Sequence, residues 1–464
     1  MPAFSRHDDL SFRQDEGEPV IGKALIRLLA SRLTWPRPLV APSLDNEEDP
    51  MSTSADPPPI TALATPLTLP SGTTVKNRLA KAAMSEQLGS PAHEPTPELV
   101  RRYSRWARGG VGLIITGNVM IDRRSIGEPL NVVVEDDRDL AGLQEWAAAT
   151  KEGDATALMQ LNHPGRQTMR GLSELAVAPS AVPVELGPAF AQPRALTAGE
   201  ITEIIGRFAK SARTAIDAGF DGVQIHSAHG YLVNQFLSPH TNRRNDEWGG
   251  DPERRRRFLL EVTRAIRTAI GPDKVLSIKL NSADFQRGGF TEEESLAVIE
   301  HLDKEEVDLL EISGGTYESP AMSNGGRSEG TRLREAFFLD FAERVRNITS
   351  VPLMVTGGFR SGVGMADAIE SGATDLIGLA RPLALQPELP KMLLDSPETA
   401  RSGLELKKIG VKKLDAAADL WWTQHQIKLL GAGEEPDPAY GVRRAVFDAL
   451  RHDGRNMLRR RRGT

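Results

Sequence analysis

Eight short apolar runs, each followed by a stretch of helical periodicity, recur between residues 79 and 395, and this alternation limits the fold more than any other feature. The runs are Leu79–Met84, Val111–Thr116, Ala155–Leu161, Gly222–Ile225, Val275–Leu280, Val307–Ile312, Pro352–Val355 and Asp375–Leu379. Near-continuous apolar strands are expected where both faces of a parallel sheet are buried. The helix starts between them are legible. Thr96-Pro97-Glu98 places proline at a first helical position, as does Asp251-Pro252. Thr197 with Glu200, and Thr291 with Glu294, have capping-box spacing. In the helix after the third strand, Ile201, Ile204, Ile205, Phe208 and Ala212 fall on one face. Further helices are expected near Leu140–Ala149, Ala336–Val345, Gly364–Glu370 and Pro387–Leu394. Eight such units close naturally into an α/β protein of the (β/α)8 barrel type. An open doubly wound sheet is disfavoured, because no glycine-rich turn follows the first strand.

Three segments flank or precede this pattern. Residues 1–59 carry scattered acids, Pro57-Pro58-Pro59 and one short apolar patch, Ile21 to Leu33, and are expected to be a disordered leader. Met51-Ser52-Thr53-Ser54 also reads like a natural start. Turn residues between short apolar pieces at 68–75 suggest an N-terminal hairpin, so the barrel domain is placed at 60–395. Residues 396–464 form a C-terminal helical extension. Trp421-Trp422 and Ile427–Leu430 are expected in a helix on the barrel wall or across a subunit contact, which leaves a homo-oligomer open. A final amphipathic helix is expected over Val442–Leu450.

Composition removes several classes of chemistry. No cysteine is present, which excludes disulfides, a thiol nucleophile and cysteine-ligated iron–sulfur or zinc centres. The net charge of −6 argues against a nucleic-acid surface, and the terminal run Arg459–Arg462 reads as a solvated tail. No apolar run reaches the roughly 18 residues of a membrane span. A cytoplasmic enzyme is the expectation.

In a barrel the residues just past the C-terminal ends of the strands sit at the mouth, where chemistry is done. Here those ends carry Ala82, Ala83, Met84 and Ser85 after the first strand, then Gln160 on the third. His226, His229 and Tyr231 follow the fourth, Lys279 ends the fifth, and Tyr317 follows the sixth. Gly357 and Gly358 after the seventh, with Ala380 and Arg381 after the eighth, are the parts from which a barrel builds a phosphate cradle. Glycine pairs alone more often mark a tight turn, and His226 and His229 alone could be ordinary loop residues. Together they suit a phosphorylated aromatic cofactor: an amide for a pyrimidine edge, a cation to offset charge on a reduced ring, and a hydrogen-bonding trio for a second molecule.

The motifs NRLAKAAMS (77–85), QLNHPGR (160–166), HSAHGYLVNQFLSP (226–239), NRRNDEWGG (242–250), GGF (357–359) and LARP (379–382) resemble those of the old yellow enzyme family of FMN-dependent ene reductases. The resemblance spans roughly residues 60–395. It implies FMN as cofactor and NAD(P)H as reductant, with ping-pong turnover on α,β-unsaturated carbonyl compounds. His226 and His229 would bind the carbonyl oxygen and Tyr231 would protonate Cα. Gln160 would contact the flavin pyrimidine and Lys279 its N1/O2 side. Ala82, Ala83 and Met84 would line the ring, and Gly357, Gly358, Ala380 and Arg381 would hold the phosphate. Three positions depart from the family pattern. Ser85 stands where a threonine or redox-tuning cysteine is usual and is expected to give at most a weak bond to flavin O4. Gln87 replaces a substrate-facing tyrosine, and Lys279 replaces an arginine.

Other functions compete with this reading. A dehydrogenase or demethylase of the same superfamily that relays electrons through an iron–sulfur cluster is disfavoured by the absence of cysteine. A flavin-free, metal-dependent lyase or hydrolase with His226 and His229 as ligands lacks an evident carboxylate at a matching strand end, so no metal site is expected. A non-catalytic binding barrel leaves the histidine–tyrosine trio unexplained.

Overall fold

The computed structural model describes residues 61–173, 175–187, 189–316, 318–319, 336–405, 407–410 and 415–461. The expected leader therefore lies outside the described residues, as does Tyr317. Eight parallel strands close into a barrel: β1 (Leu79–Lys81), β2 (Leu113–Ile115), β3 (Thr156–Asn162), β4 (Gly222–Ser227), β5 (Val275–Asn281), β6 (Leu309–Ser313), β7 (Leu353–Thr356) and β8 (Leu376–Leu379). Neighbours in sequence are neighbours in the sheet. The ring shuts where β8 meets β1 through Ile377↔Leu79, Gly378↔Ala80 and Leu379↔Lys81.

Strand register decides which side chains face the interior, because alternate residues point to opposite faces. The pairing aligns Gln160 with Gln224 and Gln224 with Ser277, and one inward step higher His226 with Lys279 and Lys279 with Glu311. Below these polar layers the interior is apolar. Ala80, Leu113, Leu158, Val275, Leu309, Met354 and Leu376 form one buried cluster with Leu69 and Val75 of the N-terminal hairpin. That hairpin pairs Leu67–Thr68 antiparallel with Thr74–Val75, as expected, and stoppers the N-terminal end of the barrel. The polar layers and the open mouth are left at the C-terminal end.

The helices outside the barrel begin where the caps were read. Thr96 Oγ accepts from Leu99 N at 3.2 Å to start α1 (Pro97–Arg108). The next is α2 (Leu140–Thr150). Complete capping boxes open α3 (Ala198–Asp217) at Thr197 and α5 (Glu292–Leu302) at Thr291, and Asp251 caps α4 (Pro252–Ile270). The remaining barrel helices are α6 (Leu339–Arg346), α7 (Gly362–Glu370) and α8 (Leu389–Asp395). Several boundaries differ from the expectation by a few residues, and two of these have identifiable reasons. β1 stops at Lys81; Ala82 keeps one ladder bond, N to Leu379 O at 2.8 Å, and the chain then turns into the mouth. The sixth helix starts three residues late because Phe337 N donates to Gly357 O at 3.1 Å, which ties that stretch to the end of β7.

The C-terminal extension contains α9 (Asp415–Ala432) and α10 (Val442–Arg461), the latter longer than expected. Helix α9 lies on the barrel wall against α1. Trp422, Ile427 and Leu430 are buried, Arg101 donates to Gly431 O, and Arg105 reaches both Glu388 and Glu435. No helix among the described residues is long and apolar enough to cross a membrane.

Candidate active site

The barrel mouth begins with a belt of hydrogen bonds inside the strands. Gln160 Nε2 donates to Gln224 Oε1 at 2.8 Å, and Gln224 Nε2 donates to Glu311 Oε2 at 2.9 Å and Ser277 Oγ at 3.1 Å. Thr356 Oγ1 donates to Glu311 Oε1 at 2.7 Å, and Lys279 Nζ sits 2.8 Å from the same oxygen. Sequence reasoning missed Glu311: it looked like an acid in an otherwise apolar run, and only the inward register gives it meaning. The carboxylate offsets the charge of a lysine that is 3 % exposed, which would otherwise be expensive to bury.

At the top of the belt three amide atoms have no hydrogen-bond partner among the described residues although they are buried: Gln160 Oε1 and both Oδ1 and Nδ2 of Asn162. Such orphans cost free energy unless a ligand satisfies them. Asn162 stands two residues after Gln160 and so shares its inward face. Donor and acceptor together at the end of β3 complement a ring edge that alternates N–H and C=O, which is what the pyrimidine of a flavin presents. This second amide was also missed, although the inward alternation Gln160, Asn162 was available to find it.

The structure brings His226, His229 and Tyr231 together. The His226 ring lies edge-on to both, with centroid separations of 5.1 Å to His229 and 4.7 Å to Tyr231. Ala228 N donates to His226 Nδ1 at 3.3 Å, so the proton of the neutral ring belongs on Nε2 and that nitrogen is a donor. Burial, then the neighbouring His229 and Lys279, hold the His226 pKa well below its ordinary value. Burial and Lys279 bring His229 down to about 3. Both rings are therefore neutral near pH 7: they can donate or accept hydrogen bonds, but neither is a reservoir of acid. His229 Nε2 is 2.8 Å from Ser313 Oγ, a partner that any bound oxygen would have to share.

The loop that carries the trio is held in an uncommon backbone conformation. His229 has φ +60° and Gly230 φ +79°, a left-handed pair that is costly at a non-glycine position. Local bonds compensate. His229 N donates to Asn281 Oδ1 at 3.2 Å, and its carbonyl accepts from Gln167 Nε2 at 2.9 Å. Gly230 N donates to Asn234 Oδ1 at 2.7 Å, and Leu232 N donates to His163 O at 3.0 Å. A Cβ at Gly230 would come within 2.5 Å of Gln167 Nε2 and displace that amide from the His229 carbonyl, while the turn itself requires glycine through its positive φ.

The remaining expected residues are placed as follows. Ala82, Ala83 and Met84 form the loop that leaves β1 at the mouth. The Ser85 hydroxyl donates to the Glu128 carboxylate, so it is engaged by protein rather than turned freely toward a ring. Gln87, with φ +52°, is buried and helps wall a cavity of about 20 Å³ together with Leu99, Val132 and Trp146. Gly357 and Gly358 leave β7 at φ +111° and +106°, beside β8 through the pair Thr356↔Gly378. Arg381 opens the short helix after β8, and its Nη1 donates to Asp419 Oδ2 at 2.5 Å. No group of three or more histidine, aspartate or glutamate side chains suited to a metal ion occurs among the described residues.

Residues 62–397 match the model of the NADH:flavin oxidoreductase / NADH oxidase family. An NADH-dependent flavin oxidoreductase (iliE) of Hypocrea jecorina is 38% identical over 367 residues, covering 74% of this chain and 91% of the relative. A protein of the same description from Neonectria is 36% identical over 422 residues, 85% of this chain, but the chain spans only 54% of that relative's length. Among solved structures, the old yellow enzyme homologue from Zymomonas mobilis superposes with a TM-score of 0.62 at 26% identity, covering 73% of this chain and 94% of that one.

Proposed function

Since this chain belongs to the NADH:flavin oxidoreductase / NADH oxidase family, whose members use FMN and take electrons from NAD(P)H, we propose that it reduces the C=C bond of α,β-unsaturated carbonyl compounds in two separate half-reactions. The observation that carries this reading is the neutral His226–His229 pair beside Tyr231, above a belt whose orphan amides complement a flavin edge. The chemistry that bound FMN supplies is hydride transfer, taken from NAD(P)H and given to the substrate Cβ.

The chain's own residues do the rest. Gln160 and Asn162 would satisfy the pyrimidine edge, and Lys279, held by Glu311, would place a cation at its N1/O2 side. Gly357, Gly358, Ala380 and Arg381 would hold the phosphate. His226, with its proton on Nε2, would donate to the substrate carbonyl oxygen and polarise the double bond; His229 would share that oxygen with its Ser313 contact. Because both histidines are held neutral, neither is suited to protonate Cα near pH 7. That role falls to the phenol of Tyr231. Hydride at Cβ and a proton at Cα complete the saturated carbonyl, and solvent returns the proton to Tyr231.

Separating the half-reactions tests this. Tyr231→Phe should retain FMN and be reduced by NAD(P)H at a near wild-type rate in stopped-flow. Its reoxidation by cyclohexenone should slow by about 10²–10⁴-fold, the range for a positioned general acid. Reoxidation at the wild-type rate would remove Tyr231 from the mechanism. Replacing His226 and His229 together by alanine should instead abolish binding of a phenol that occupies the carbonyl site.

A further inference from the structure

The loops that follow β7 and β8 receive hydrogen-bond partners from beyond the barrel. Gly362 N donates to Ala400 O at 3.2 Å, Ser402 N to Arg360 O at 2.8 Å, and Arg360 Nη1 to Leu404 O at 2.8 Å. Gly403 N donates to Gln386 Oε1 at 2.8 Å. Residues 400–404 therefore lace across the loops that carry the expected phosphate cradle. A Cβ at Gly362 would come within 2.3 Å of Pro397 O, so the two backbones are in direct contact. The chain then enters α9, and Asp419 on its first turns points back at the cradle. Its Oδ1 accepts from Lys407 N at 2.9 Å and its Oδ2 from Arg381 Nη1 at 2.5 Å. The Asp419 side chain is 9% exposed and that of Arg381 25%.

We propose that Asp419 is a positioning residue for the cofactor phosphate, acting through Arg381, so that the C-terminal extension takes part in holding FMN; this rests on the function proposed above. An arginine at the rim of a barrel has several rotamers open to it, and ordering them on binding costs affinity. A carboxylate that fixes one N–H of the guanidinium fork orients the others, because the group is planar and rigid. Asp419 is itself fixed by burial and by Lys407 N, so the guanidinium is aimed before any phosphate arrives. The alternative physics has the opposite sign. If Asp419 competes with phosphate for Arg381, removing its charge strengthens phosphate binding.

Titrating the full-length, flavin-stripped protein with FMN and with riboflavin, which lacks the phosphate, separates the two. Asp419→Asn should weaken FMN binding by about tenfold, the lower end of what groups that orient metal ligands contribute at metal sites, and leave riboflavin binding unchanged. In an Arg381→Ala background, Asp419→Asn should cause no further loss. Equal weakening for both flavins would mean that Asp419 only supports the fold, and unchanged or tighter FMN binding would mean that it does not position Arg381; either overturns the proposal. Should the asparagine variant fail to fold, Asp419→Glu keeps the charge but shifts it by one methylene, and the same loss confined to FMN is expected. A wild-type protein that bound neither flavin would overturn the function proposed above instead.

Discussion

Glu311 receives Lys279, Thr356 and Gln224 at once, so it is the residue on which the interior belt depends. Glu311→Gln should be strongly destabilising, by about 3–5 kcal/mol, because it leaves Lys279 charged and unpaired in the barrel. Adding Lys279→Met should recover much of that loss in urea unfolding; no recovery would show that the charge pair is not what the belt needs. A second expectation follows from burial of the histidines. Burial holds His163 at about 4 and His229 at about 3, and His226 is also depressed, whereas an unfolded chain titrates them near about 6.5. Between those values the unfolded state binds more protons than the native state, so stability falls as pH falls from 6.5 toward 4. Each such histidine contributes a slope of about 1.4 kcal/mol per pH unit in that window. Urea midpoints from pH 7 to 4.5 should decline, and His229→Gln should flatten the decline; an unchanged slope would contradict the burial argument. At this scale the histidines, Tyr231, Gln160 and Lys279 could be picked out as candidates, because each lies near or just past the C-terminal end of a recognisable strand. Glu311 and Asn162 were not legible, since their roles depend on inward register and on which atoms lack partners.

At the scale of elements, caps and turns were the most legible features, because their chemistry is local. Thr197 and Thr291 form the capping boxes their spacing suggested, and the hairpin at 67–75 pairs as expected. What spacing could not show is where that hairpin docks. Leu69 and Val75 fill the floor of the barrel against residues as distant in sequence as Leu309 and Leu376, a contact that no local pattern specifies. Leu69→Ala should cost about 2–5 kcal/mol, the range for a buried leucine truncation, while leaving the mouth undisturbed. Chemical unfolding should therefore show a lower midpoint, with the visible flavin spectrum of the folded protein unchanged. A perturbed spectrum would mean that floor and mouth are mechanically linked. β1 ends three residues earlier than its apolar run suggests for a related reason: Ala82–Met84 continues that run past the sheet, into the loop that leaves the strand.

For the whole molecule, the eightfold alternation was enough to expect a barrel, whereas the contacts of the extension were not. Arg381 and Asp419 lie 38 residues apart with no periodicity to connect them, and the packing of α9 on α1 joins segments more than 300 residues apart, as the 330-residue link between Arg101 and Gly431 shows. Deleting residues 396–464 should expose the face of α1 that α9 covers and lower the yield of soluble protein. Full recovery of soluble, flavin-loaded protein would show that the extension is dispensable. The barrel seam itself has a further consequence. Beside the β8–β1 junction, Arg78 Nη1 bonds Asp375 O across 297 residues of chain. At about 5–20 residues per second, a ribosome needs roughly 15–60 s to make a segment of that length. Throughout that interval β1 has no β8 to pair with, and the growing sheet presents raw edges of the kind that recruit other chains. The hazard of this architecture is thus concentrated in its birth: an unfinished chain is sticky, and only the last strand makes it safe.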